Sequence, residues 1–169
     1  INNYGADAAR IFMLSDSPPD RNLEWSNNGI EGAKKFIHKI WKYFKSIETY
    51  NKEIDHETNY EKEAAKLNKQ MHFCIDKVTK SLENFQYNVA VASLREFSNQ
   101  FLIVQNNKTI NDTLFEALSN WVIMLAPLMP HFAEELWKLL GNNDTLVTDQ
   151  KWPKANINIL QEKKVHLII

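Results

Sequence analysis

Cysteine is nearly missing from this chain of 169 residues; Cys74 is the only one. No internal disulfide can close, no thiolate zinc cluster can form, and a reducing cytosol suits the sequence. Glycine is scarce as well, at four residues, which disfavours strands joined by tight turns and favours long helices. Neither sign of charge dominates: 20 Lys and Arg stand against 21 Asp and Glu, a formal net charge of −1. The whole chain therefore does not announce a nucleic-acid binder, and any basic footprint must be local. The longest apolar run, "WVIMLAPLM" from Trp121 to Met129, is too short to span a bilayer and contains Pro127. No signal peptide, phosphate-cradling glycine loop or nucleophile triad pattern is present in the sequence.

What remains is 44% hydrophobic and 24% charged, enough for one domain with a sizeable core. Residues 5–14, "GADAARIFML", predict a short helix in which Ala8, Ile11 and Leu14 recur at helical spacing. Pro18 and Pro19 forbid its continuation, because each lacks an N–H and drives the residue before it towards extended geometry. Ser26 is a good N-cap for a restart. Between them, Leu23 and Trp25 point the same way in an extended segment, so both are expected to pin the elbow down, with Trp25 substantially buried.

Four long helices come next. The first, from about Asn27 to Tyr50, carries the seam Ile30, Ala33, Ile37, Ile40, Phe44 and Ile47. The second carries Tyr60, Ala64, Leu67, Met71, Cys74, Val78 and Leu82, and the third Ala90, Val91, Leu94, Phe97 and Phe101. The fourth carries Ile110, Leu114, Ala117, Leu118, Trp121 and Leu125. Pro127 and Pro130 then bend the chain into a final short helix, "HFAEELWKLL", which Gly141 stops. Residues 142–160 read as a polar linker. The start on Ile1 and the close on "VHLII" read as cuts in a longer polypeptide, with 161–169 the first strand of a further domain. The expected fold is all-α: an antiparallel helix bundle over 26–141, preceded by a junction at 1–25 and followed by a stub strand.

The most informative chemistry is on the first long helix, where Lys34, Lys35, Lys39, Lys42 and Lys45 crowd around His38 with Glu31 opposing. Lys35, His38, Lys39 and Lys42 fall on one side, away from the apolar seam. A row of this kind can track a phosphate backbone, or it can be a solvated helix face. His131, beside Glu134 and Glu135, has no nucleophile near it and no metal-ligand spacing, so it reads as a helix-start residue with structural hydrogen bonds. Cys74, Trp121 and Trp137 read as packing residues. No catalytic and no metal-binding residue is assigned.

Residues 4–41, "YGADAARIFMLSDSPPDRNLEWSNNGIEGAKKFIHKIW", resemble the join between catalytic core and helical domain in leucyl-tRNA synthetases. "NFQYNVAVA" and "LAPLMPHFAEELWKLLG" resemble later parts of the same helical domain, the second shared loosely with valyl, isoleucyl and methionyl relatives. "KWP" and "VHLII" resemble the approach to that family's small C-terminal domain. The resemblance implies an anticodon-binding-type domain that docks tRNA(Leu), mainly through its backbone. It makes Lys35, His38, Lys39 and Lys42 the candidate tRNA contacts, and Arg10, Pro18, Pro19 and Trp25 the joint to the catalytic core of the same polypeptide. It further implies a cytoplasmic, monomeric enzyme without membrane contact, using ATP and magnesium elsewhere, with no cofactor in this stretch. Two alternatives stand beside it: the same domain of a sister synthetase, and a non-catalytic helical interaction module.

Overall fold

The computed structural model describes residues 3–16, 18–48, 60–103 and 112–161. In order, these form α1 (Ala6–Asp16), α2 (Asn27–Glu48), α3 (Tyr60–Glu83), α4 (Tyr87–Ile103), α5 (Asp112–Leu125) and α6 (Pro130–Leu139). A 3-10 turn at Val147–Asp149 and a short helix α7 (Ile157–Gln161) complete the described chain. The described residues are helical or irregular, as the periodicity predicts.

The ends of the helices obey local chemistry. α1 stops at Asp16, just before Pro18 and Pro19. Ser26 caps α2: its Oγ accepts the Gly29 N–H at 3.2 Å and its carbonyl accepts the Ile30 N–H at 3.1 Å. α6 ends in a Schellman motif, with the Gly141 N–H bonded to the Lys138 carbonyl and the Asn142 N–H to that of Trp137. Gly141 has φ +91°, a conformation that suits glycine.

The seams then assemble one core. Ile30, Ala33, Ile40 and Phe44 of α2 are buried, as are Leu67, Met71, Cys74 and Val78 of α3. The α4 seam from Ala90 to Phe101, and that of α5 from Leu114 onward, are buried throughout. At the centre, Phe101 meets Tyr43, Phe44, Phe97 and Trp121 at ring separations of 5.4, 6.5, 5.9 and 5.3 Å. The two polar handles in this cluster find carbonyls: Trp121 Nε1–H donates to Leu94 at 2.9 Å, and the Tyr43 hydroxyl to Phe101 at 3.0 Å. Phe101 lies in the last turn of α4, so Tyr43 satisfies a carbonyl that the helix itself leaves open. Burial pushes the Tyr43 phenol above its usual range and the Cys74 thiol up to about 12, consistent with two packing groups.

Two expectations change. Trp25 is not buried: it is 57% exposed, touching Phe12 edge-to-face at 5.2 Å and donating its indole N–H to Asn27 at 3.3 Å. Its ring contact is with Phe12 in the middle of α1, which leaves most of the indole in solvent. Residues 142–161 are not merely a linker. Val147 is buried, Glu134 accepts the Val147 N–H at 3.0 Å, and Trp152 donates to Thr79 at 2.8 Å, tying this stretch to α6 and α3. These partners lie outside the stretch itself, so local polarity conceals them. The expected strand at 161–169 lies outside the described residues except for Gln161, which ends α7. Ile110 also lies outside them, as does the Tyr60 side chain.

α1 sits close enough to α2 that a Cβ added at Gly29 would lie 2.4 Å from the buried Phe12 ring, whereas one at Gly32 would meet nothing within 4 Å. Gly29→Ala is therefore expected to destabilise by about 1–3 kcal/mol through overpacking. Gly32→Ala, on an exposed part of the same helix, should stabilise by roughly 0.5–1 kcal/mol. Thermal or denaturant midpoints of the two variants check this, and equal shifts would contradict the close α1–α2 approach.

Candidate nucleic-acid interface

The cationic face of α2 is the reverse of its apolar seam. Burying Ile30, Ala33, Ile40 and Phe44 turns Lys35, His38, Lys39 and Lys42 outward, and all four are exposed on the same side. Among the described residues none of the four is in an ion pair with a carboxylate. The row is bordered on both sides. Towards the chain start, the Lys34 ammonium lies over the Tyr4 ring at 5.5 Å, and a recess of ≈ 500 Å³ opens between Asn3, Tyr4, Glu31, Lys34, Lys35 and His38. Towards α4, Lys39 Nζ donates to Asn99 Oδ1 at 3.3 Å, and Arg95 rests over the Phe36 ring at 4.9 Å. Sequence reasoning missed Arg95, because only the packing of α4 against α2 brings it to this face.

A second groove, ≈ 700 Å³ between α3 and α4, also contains lysines. There the charge is matched: Lys80 pairs with Asp76 at 2.8 Å and Lys77 with Glu96 at 3.7 Å. Exposed pairs of this kind add little stability, but they cancel the local field. The α2 face is thus the better candidate for a polyanion.

The joint below this face is built by α1. Asp7, buried, accepts the Phe132 N–H at 2.6 Å through Oδ2, while Oδ1 lies 3.1 Å from His131 Nδ1. α6 has Met129 at its N-cap position and no side-chain cap of its own. Asp7 supplies the missing cap from 125 positions away, and puts a carboxylate at the positive end of the helix. One turn along α1, Arg10 donates through Nε to the Leu128 carbonyl at 3.0 Å and through a terminal nitrogen to that of Pro127 at 3.0 Å. These carbonyls lie just past the C-terminus of α5, where a cation is favoured. Arg10 thus holds the α5–α6 bend, Pro18 and Pro19 follow the end of α1, and Trp25 stands exposed beside Phe12. His131 is a hydrogen-bonding residue of that joint. Glu134 accepts backbone N–H groups of the 3-10 turn, and Glu135 pairs with Lys138 at 3.0 Å. Trp121 and Trp137 are buried and serve packing.

Comparison with known proteins bears on this geometry. The family model described as the anticodon-binding domain of tRNA ligase matches residues 64–169. A leucine–tRNA ligase of Ehrlichia canis is 37% identical over the full chain, and one of Fervidobacterium nodosum is 34% identical, also over the full chain. The chain spans about one fifth of the length of these relatives, 20% and 21% respectively. Among solved structures, the ternary complex of Agrobacterium radiobacter K84 agnB2 LeuRS with tRNA and LeuAMS matches with a TM-score of 0.79 and 28% identity, covering 94% of this chain and 20% of that one.

The cap from α1 can be tested alone. Asp7→Ala leaves the Phe132 N–H buried without an acceptor and should lower stability by about 1–3 kcal/mol. Asp7→Asn keeps an acceptor oxygen and should lose less. Denaturant unfolding distinguishes them, and an unchanged Asp7→Ala midpoint would remove the capping role.

Proposed function

Because the chain belongs to the anticodon-binding domain family of tRNA ligases, we propose that it is the tRNA-docking helical domain of a leucine–tRNA ligase whose whole enzyme activates leucine with ATP and passes it to tRNA(Leu). The observation that carries the docking role is the outward row Lys35, His38, Lys39 and Lys42 in a chain of nearly zero net charge. Such a row meets the sugar–phosphate backbone, which positions a nucleic acid without reading its sequence. The similar Agrobacterium structure, a complex with tRNA, supports the same partner.

The catalytic core of the same polypeptide is the second partner. Arg10, Pro18, Pro19 and Trp25 form the joint to it. Met13 and Trp25, both more than half exposed, offer the apolar surface on which that core rests. ATP and magnesium belong to the whole enzyme. Among the described residues no three His, Cys, Asp or Glu side chains gather as metal ligands. No helix among the described residues is long and apolar enough to cross a membrane. We place the whole enzyme in the cytoplasm as a monomer.

Two measurements test this reading. The 169-residue chain alone should show no leucine-dependent ATP–pyrophosphate exchange above blank; clear exchange would place the activating chemistry within it. In the full-length enzyme, the combined change Lys35→Ala, Lys39→Ala and Lys42→Ala should weaken cognate and non-cognate tRNA alike. It should also flatten the plot of log affinity against log salt by about one unit for each phosphate no longer neutralised. Unchanged affinity and slope in a folded variant would make the row a solvated face.

A further inference from the structure

On the side of the cationic row, α2 and α4 are linked by two rungs, and each rung carries a cation. In one, the Arg95 guanidinium lies over the Phe36 ring at 4.9 Å; in the other, the Lys39 ammonium donates to Asn99 Oδ1 at 3.3 Å. Phe36 and Lys39 are one turn apart on α2, and Arg95 and Asn99 are one turn apart on α4. Neighbouring rungs at this spacing stand about 5–6 Å from each other. Neither cation is in an ion pair among the described residues, and the nearest carboxylate in sequence, Glu96, turns away to Lys77 on α3.

Arg95 is also incompletely satisfied. Its Nε is buried without a hydrogen-bond partner, and burial holds the guanidinium below its usual pKa range. That Nε is closed to solvent as well as unpartnered, so an anion would meet the guanidinium through its terminal nitrogens, which have no hydrogen-bond partner among the described residues. The Phe36 ring fixes the plane of the fork, and the Asn99 amide fixes the ammonium beside it. A planar fork and a point charge on adjacent turns suit the several oxygens of one phosphate. The seat continues the row of Lys35, His38 and Lys42, so the matching ligand is a chain of phosphates rather than a single carboxylate.

We infer that Arg95 and Lys39 together hold one backbone phosphate of a bound RNA, extending the binding face from α2 onto α4. This rests on the docking role proposed above. Arg95→Met and Lys39→Met keep the apolar stems in place while removing the charge. In the full-length protein each should leave the melting midpoint near the parent's. Each should weaken cognate and non-cognate tRNA by about tenfold, and the two changes together should flatten the salt slope by about one, the share of a single phosphate. Because one phosphate is shared, the double variant should lose less than the product of the single losses. Arg95→Lys, which restores charge without the fork, should recover only part of the affinity. The inference is overturned if Arg95→Met, or Arg95→Gln should the first not fold, binds tRNA with the parent's affinity and slope. Fully multiplicative losses overturn it as well. A Lys35→Ala, Lys42→Ala variant separates the two ideas. If that variant binds weakly while the Arg95 and Lys39 variants do not, docking stands and the shared seat is gone. If none of them binds weakly, docking fails too.

Discussion

The pair Asp7 and Arg10, one turn apart on α1, is the contact on which the rest of the architecture depends. The α5–α6 bend exposes peptide groups of both polarities: carbonyls just past the end of α5 and N–H groups waiting at the start of α6. One short helix answers both, Asp7 at the Phe132 N–H and Arg10 at the Pro127 and Leu128 carbonyls. The sign of each side chain matches the end of the helix dipole it faces. With α1 fixed this way, Phe12 meets Gly29, the elbow has one course to take, and α2 starts at a set place on the bundle.

The direction of the cationic face is a result of that placement. α2 carries its lysines on the arc opposite its seam, so whatever fixes the seam fixes the arc. Tyr43 and Phe44 lock into the aromatic centre around Phe101, and the Lys39–Asn99 contact falls beside them. The binding surface is thus a by-product of core packing. This is also why a change in the seam and a change in the lysine row should differ in kind, the first acting on stability and the second on ionic attraction.

Much of this is legible in the sequence where a residue acts on its neighbours. Ser26 caps the helix after it, Gly141 stops the helix before it, and the three-and-four spacing of Leu94, Phe97 and Phe101 marks a buried stripe. The outward turn of Lys35, His38, Lys39 and Lys42 comes from the same periodicity. The hidden features depend on packing between distant segments. Asp7 looks like any acid in a first turn until α6 is found to lack its own cap. Arg95 reads as a surface residue on α4 until Phe36 is brought beneath it. Trp25 invites the expectation of burial because tryptophan is large and apolar, yet it stays more than half exposed beside Phe12. Val147 and Trp152, set among polar residues, carry no periodic signal, although both attach to the bundle.

The reach of the α1 clamp has a consequence for how the molecule comes together. Its bonds join positions 117–125 residues apart, whereas α3 and α4 meet across a tight turn. Local hairpins form early because little loop entropy opposes them, and contacts of long sequence separation come late. During synthesis α1 emerges before the other helices described and can meet α2 soon after, yet Asp7 and Arg10 have no partners until Pro127 to Phe132 has been made. The earliest of these helices to leave the ribosome thus receives its polar clamp among the last, when the α5–α6 bend reaches it.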